Sequence, residues 1–384
     1  MAFFLAFKEV WRNKSRFFLF SMVIALITTL VLFVAALAQG LALANRQYLD
    51  KLDANLLVFQ ANTDLSTLSS RLDQVDLNRI SRIEGVQAAG PIGFASASIV
   101  LNEASKDLNV SIIGVDPDLP GAPPVLSGVP LFSDRSKDVV IDSDIAKQAG
   151  LQVGETFQLK SIQGIDEKLY DLRVIGITSP QQNQYAPSMF VPIQTWDRIR
   201  PQASTPNEKA PINSNVIAVK LVDPAQQDLV AQQIENSVKD VEVADIRTAI
   251  NALPGYSAQQ GTLQTQQAFV LLIGILVIGG FFQIQMLQKI PLIGVLKAIG
   301  IANRSVAWAV IYQIILVSTF GVIFGGLVTL GLAAGIPDVV PIQFSGATVA
   351  LAISALLLIG PLGGLVSVRL AVRVEPLIAL GLNS

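Results

Sequence analysis

This chain of 384 residues has no histidine and no cysteine, and so lacks most of the side chains that do chemistry near neutral pH. The first absence removes Ser-His-Asp triads, imidazole bases and histidine metal ligands. The second removes thiolate nucleophiles, thiolate metal sites and disulfides. No GxxxxGK[ST] run occurs, so the chain cannot cradle ATP phosphates in that way. The short segment with the most specific composition is Gln288–Val306, QKIPLIGVLKAIGIANRSV. Pro291 cannot donate a helical hydrogen bond, which predicts that the helix before it kinks or stops there. Leu292, Val295, Leu296 and Ile299 then recur at helical spacing on one face of a two-turn helix. Gly300 suits the residue just past its end, and Asn303 suits the cap of the next helix. An exposed short helix with an apolar face and Lys297 is a docking element in form. The plainer reading is a connecting turn lying in a membrane interface.

The elements that position this segment are apolar runs. Phe17–Ala38, Ala268–Leu287, Val306–Ala334 and Ala347–Val368 carry no charge, and each can cross a bilayer, which takes about 20 residues. They account for a mean hydropathy of +0.53 and a hydrophobic content of 51%, both high for a soluble chain. Lys8, Arg12, Lys14, Arg16, Lys289, Lys297, Arg304, Arg369 and Arg373 flank the spans on one side, with only Glu9 and Glu375 as acids. Ala44–Leu263, by contrast, holds 18 basic and 26 acidic residues. Lys and Arg resist translocation, which predicts both termini inside and the large domain outside. The first run is too long for a cleavable signal core and continues into helical sequence, so it reads as an uncleaved signal anchor. Ahead of it, Phe3–Trp11 reads as an interfacial amphipathic helix or as a plain continuation of the first span. Spans without Asp, Glu, Lys or Arg disfavour proton- or ion-coupled transport. Thr28, Thr29, Gln283, Gln285, Gln313 and Ser318 read as interhelical glue, and Gly321/Gly325 and Gly279-Gly280 as close packing points.

The intervening sequence is mixed α/β. Strands are expected at Leu56–Gln60, Ala95–Leu101, Asn109–Val115, Asp138–Ile141, Thr156–Lys160, Leu172–Ile177 and Met189–Ile193. Helices are expected near Val75–Ile83 and at Asp144–Ala149. Asp116–Pro130 and Gln181–Pro187 read as loops, and Pro201–Pro211 as an insertion. Val216–Leu221, Pro224–Val238 and Val241–Asp245 have the rhythm of a βαβ unit. Leu41–Leu52 and Gln259–Gln267 read as stalks leading out of and back into the membrane, and Gly335–Gly346 as a tight outer hairpin.

Several of these segments, in order, are similar to the FtsX/MacB superfamily of ABC transporter permeases. Pro291–Gly300 resembles the cytoplasmic coupling helix of that superfamily, whose usual form is close to EIGVLKAIGAS. Val139–Leu159 followed by Arg173–Ile177 resembles its outer-domain signature, and Val374–Leu380 its tail motif xxPxxAL. Leu292 stands where an acidic residue is usual, so docking would rest on Val295, Leu296, Lys297 and shape. Gln288-Lys289, Asn45–Gln60 and Leu65-Ser66 look most like the haem-efflux, HrtB-like branch.

The resemblance implies an α-helical membrane protein with four transmembrane helices and an α/β (α+β) extracytoplasmic domain inserted between the first two. Its expected divisions are an amphipathic helix (1–16), a first span (17–43), the outer domain with stalks (44–263) and a second span (264–288). A coupling helix (289–305), a third span (306–334), an outer hairpin (335–346), a fourth span (347–368) and a cytoplasmic tail (369–384) follow. It implies a non-catalytic permease of a bacterial cell membrane that dimerises and pairs with two copies of a separate ABC ATPase. That ATPase would hold ATP and magnesium, with no cofactor on this chain and no nucleic-acid partner. Coupling would fall to Pro291, Leu292, Gly294, Val295, Leu296, Lys297, Ala298 and Gly300. If haem is the cargo, Met22, Tyr48 or a carboxylate would have to meet its iron, since histidine and cysteine are absent. The same topology serves FtsX-like regulators of cell-wall hydrolases, and lipoprotein or peptide exporters, some with a membrane-fusion or other outer partner.

Overall fold

One residue, Asn13, separates the first two helices, α1 (Ala2–Arg12) and α2 (Lys14–Asp50). The computed structural model describes residues 2–101, 107–133, 136–202, 213–336 and 340–373. The chain forms two units, one of Met1–Leu41 with Gln260–Ser384 and the other of Ala42–Gln259. The tail motif Val374–Leu380 and most of Pro201–Pro211 lie outside the described residues.

The first unit is helical. It contains α1, most of α2, most of α8 (Tyr256–Ala298), α9 (Asn303–Ala334) and α10 (Gly346–Arg373). Stretches of the last four are long and apolar enough to cross a membrane. Their shared core is built from Phe17, Ile24, Val31, Ile278, Phe282, Ile314 and Val317 among others. The Gly321/Gly325 pair lets α9 come close to α2, since a Cβ on Gly321 would lie 2.6 Å from the Ile24 side chain and one on Gly325 2.5 Å from the Ala25 carbonyl oxygen. Thr29 donates its hydroxyl to the Gly325 carbonyl at 3.1 Å and so acts as interhelical glue, whereas the buried Thr28 and Ser318 hydroxyls make no such bond. Gly279 packs against Gly363 of α10 in the same way.

The second unit is an α/β domain built on one ten-stranded sheet. Its strands are β1 (Leu56–Gln60), β2 (Val86–Ile99), β3 (Leu108–Val115), β4 (Val125–Gly128), β5 (Asp138–Asp142) and β6 (Thr156–Gln163). They continue with β7 (Asp166–Thr178), β8 (Ser188–Pro192), β9 (Val216–Leu221) and β10 (Val241–Asp245). The order is β10-β1-β9-β2-β3-β8-β5-β7-β4, and β6 pairs with both β2 and β7. Hydrogen bonding therefore closes a ring through β2, β3, β8, β5, β7 and β6. Alternation along the strands divides the core: Val139 and Ile141 face one cluster with Val110, Ile112 and Trp196, whereas Val140 faces another with Ile113 and Phe190.

Three local expectations are corrected here. Val125–Gly128 is not loop but an edge strand antiparallel to β7, with a register shift between Val125 and Ser127. The βαβ unit is split: β9 and β10 each pair antiparallel with β1, which lies between them. Its helix α6 (Gln227–Ser237) buries Val230 and Ile234 against Leu56, Val58, Ile217 and Val219. Besides α3 (Gln74–Ile80) and α4 (Ser143–Ala149), two short helices escape sequence reading, α5 (Ile193–Ile199) and α7 (Ile246–Asn251).

Candidate functional site

The segment Gln288–Val306 folds differently from its sequence pattern. Pro291 neither stops nor separates the helix, because α8 runs unbroken from Tyr256 to Ala298. A proline costs one backbone bond and some crowding, which a long helix held by neighbours can absorb. The expected coupling helix is thus the last turns of α8 itself. Gly300 has the left-handed φ of +96° that ends such a helix, with its N–H on the Lys297 carbonyl at 3.0 Å. Asn303 is not the cap of α9; Ala302 takes that place without a side-chain bond, and Asn303 opens the helix.

On this end of α8, Leu292 and Ile299 are 55% and 75% exposed, and Val295 is also exposed, whereas Gly294 is buried. The Leu296 side chain lies outside the described residues. Lys297 donates from Nζ to the Val372 carbonyl at 2.7 Å, which ties the turn to the end of α10. Pro291 and Ala298 are exposed as well. The arrangement presents apolar surface at a helix end, which suits it to bind a partner surface.

A polar cluster that sequence reading missed fixes the same helix. Lys289 makes an ion pair with Glu9 of α1 at 2.5 Å and donates to Gln313 Oε1 of α9 at 3.2 Å. The Gln313 amide donates to the other Glu9 oxygen, and Lys289 lies over the Phe17 ring at 5.5 Å. The available signal was that Glu9 is the lone acid in an otherwise basic flank.

The two residues suggested for haem part company. Met22 is half-exposed on α2 and lines an apolar cavity of about 410 Å³ with Phe7, Trp11, Phe18, Phe320 and Phe324. Tyr48, within the Leu41–Leu52 stretch expected as a stalk, sits 1% exposed in the core of the outer domain. Its ring packs on Phe94 and Phe190, and its hydroxyl donates to the Gly121 carbonyl at 3.1 Å. Reaching an iron would require opening that core.

Tyr48 belongs instead to a junction within the outer unit. The backbone N–H of Tyr48 donates to Gln182 O, Tyr185 N–H to Ala44 O, and Gln182 N–H to Gln47 Oε1, all at 3.0–3.1 Å. Lys51 Nζ adds bonds to Ser179 and to the Pro180 carbonyl. The loop after β7 thereby grips the last turns of α2. Asp142 anchors that loop: one carboxylate oxygen caps α4 through Asp144 N and Ile145 N, and the other accepts from Ser188 N at 2.9 Å and Gln181 N. Burial pushes its carboxyl up to about 6, against the backbone bonds that favour the charge.

Comparison with known proteins agrees with this architecture. Residues 17–237 match the MacB-like periplasmic core domain family, more than half of the chain, and residues 267–376 match the FtsX-like permease C-terminal family. The chain belongs to the MacB/FtsX family of ABC transporter permeases. A protein of Staphylococcus haemolyticus named as the hemin transport system permease HrtB is 26% identical over 98% of this chain and 99% of its own length. An uncharacterised ABC transporter permease of Mycobacterium tuberculosis is 24% identical over the same shares. The crystal structure of the periplasmic region of MacB from Actinobacillus actinomycetemcomitans overlaps 52% of this chain and 92% of its own, at 18% identity and a TM-score of 0.38. As a MacB/FtsX permease, the chain is a multi-pass membrane protein whose α/β domain lies outside the cytoplasm.

Proposed function

We propose that this permease is the membrane subunit of an ATP-driven exporter that works by transmitting motion, and that its cargo is haem or another amphiphile taken from the membrane. The observation that carries the reading is that α8 is one helix from Tyr256 to Ala298, with exposed Leu292 and Val295 near its end and exposed Ile299 just past it. A partner that grips this end moves the whole span, because a continuous helix transmits displacement along its axis. Two copies of the permease would pair with two ATPase subunits, which hold and hydrolyse ATP with magnesium. Both termini would face them from the cytoplasm, as the flanking Lys and Arg favour. On the far side, the grip of the Ser179–Ser188 loop on Ala44–Lys51 would hand motion of α2 to the sheet. The spans carry no charged residue that would line a hydrophilic tunnel, which favours an apolar or amphiphilic cargo. The similarity to HrtB is what favours haem within that class.

Co-purification of the permease with any co-encoded ABC ATPase tests the first half. A stable complex that Leu292→Asp and Val295→Asp together abolish supports the reading, and absence of any complex overturns it. Titrating haem into the complex in nanodiscs tests the cargo separately. A saturable spectral shift and haem-stimulated ATP hydrolysis are expected, and a flat titration removes haem while leaving the permease reading intact.

A further inference from the structure

A cavity of about 250 Å³ lies in the helical unit beside the Glu9–Lys289–Gln313 cluster. Its lining carries the cations Lys8, Arg12 and Lys289, and Glu9 is the one acid among the described lining residues. The same lining carries the apolar side chains Met286, Ile293, Val306 and Val310. Glu9 is already engaged by Lys289 and Gln313, so the charge the cavity offers a ligand comes from Lys8 and Arg12, both exposed at its rim. On the same helix α1, Phe4, Phe7 and Trp11 are exposed, the composition of a helix lying at a membrane surface. We propose that this cavity binds an anionic phospholipid of the cytoplasmic leaflet. Its phosphate would sit between Lys8 and Arg12, and the start of one acyl chain would lie along Met286, Ile293, Val306 and Val310.

The occupant follows from the mixed lining of the cavity. A free phosphate ion would leave its apolar side chains uncovered, and a neutral lipid would leave Lys8, which lies over the Phe4 ring at 5.8 Å, and Arg12 without an anionic partner. An amphiphile with a fixed anionic head satisfies both kinds of lining residue, and anionic lipid attracts basic residues at the membrane surface. The site also touches function, since Leu292 and Ile293 of the α8 end form part of its wall. Lipid there would hold the end of the helix that an ATPase has to grip.

Full-length permease in detergent, titrated with phosphatidylglycerol or phosphatidylcholine and read by native mass spectrometry, tests this. Wild type is expected to retain phosphatidylglycerol in preference, and Lys8→Gln with Arg12→Gln to reduce that preference about tenfold or more. Lys14→Gln with Arg16→Gln removes equal charge from residues that do not line the cavity and is expected to keep it. Val306→Trp fills the cavity from its apolar lining and is expected to lose the lipid with both cations in place. Equal loss in the two double variants means diffuse surface attraction and overturns the site. Competition by glycerol phosphate makes it a phosphate site, and displacement by haem makes it a cargo site; either outcome overturns the lipid assignment.

Discussion

Asp142 and Ser188 meet in the interior of the outer domain, where the buried carboxylate accepts the Ser188 N–H at 2.9 Å across 46 residues of chain. Because the same carboxylate caps α4, one side chain joins β5, α4 and the loop that grips α2. The family-like run Val139–Leu159 thus has a physical role in this chain, since it supplies the anchor for the junction between helix and sheet.

This anchor makes stability depend on pH in a defined sense. The folded pKa of about 6 stands above the ordinary 3.8, through burial first and Asp144 in addition. A carboxyl shifted in that direction stabilises the fold in full below the unfolded value and loses the contribution as pH rises through 6. Wild type should therefore gain on Asp142→Asn by up to about 3 kcal/mol between pH 7 and pH 4. Urea unfolding of both proteins across that range measures the difference. A constant gap would show that Asp142 does not titrate there.

Tyr48 should behave as a core residue. Tyr48→Phe removes only the bond to Gly121 and is expected to cost about 1 kcal/mol. Tyr48→Ala also empties the space between Phe94 and Phe190, at a cost of about 3–5 kcal/mol. Chemical denaturation ranks the two, and a haem titration of Tyr48→Phe should match wild type.

Packing of α9 on α2 predicts an asymmetry between adjacent glycines. Gly325→Leu drives a side chain into Ala25 and Thr28 and should destabilise by at least about 1–3 kcal/mol. A Cβ at Gly326 would meet nothing within 4 Å, and Gly326→Leu should leave the thermal midpoint in detergent unchanged. Similar losses at both positions would argue against this helix pairing.

The end of α8 predicts a separation of binding from folding. Leu292 and Val295 are 55% and 39% exposed, so Leu292→Asp and Val295→Asp should leave the melting temperature of the permease within about 1–2 °C of wild type. On the reading proposed above, the same variants should lose most ATP hydrolysis stimulated by the permease in a reconstituted complex. Full stimulation in both would move the coupling contact elsewhere.

Much of this protein was legible in one dimension. The four apolar helices follow from uninterrupted runs, because lipid imposes a length and forbids charge along it. The strands centred on Val58, Ile113, Val140 and Val219 follow from β-branched runs bounded by turns. The small residues Gly321, Gly325 and Thr29 were readable as packing points, since only small groups let helix backbones approach.

What the chain order could not reveal depends on partners distant in sequence. Pro291 marks a stop by local rules, yet α8 continues through it because neighbouring helices support the span. Val125–Gly128 looks like loop until β7 offers it an edge, and β1 separates β9 from β10 although it precedes both by more than 150 residues. Tyr48, Asp142 and the Glu9–Lys289–Gln313 cluster acquire their roles only through contacts across the fold. By itself, then, the sequence determined the spans and the charge asymmetry, because composition and periodicity act locally. Tertiary structure alone decided strand neighbours, the grip on α2 and the ring of polar bonds at the end of α8. Those depend on which surfaces meet, and burial sets their energies only after they have met.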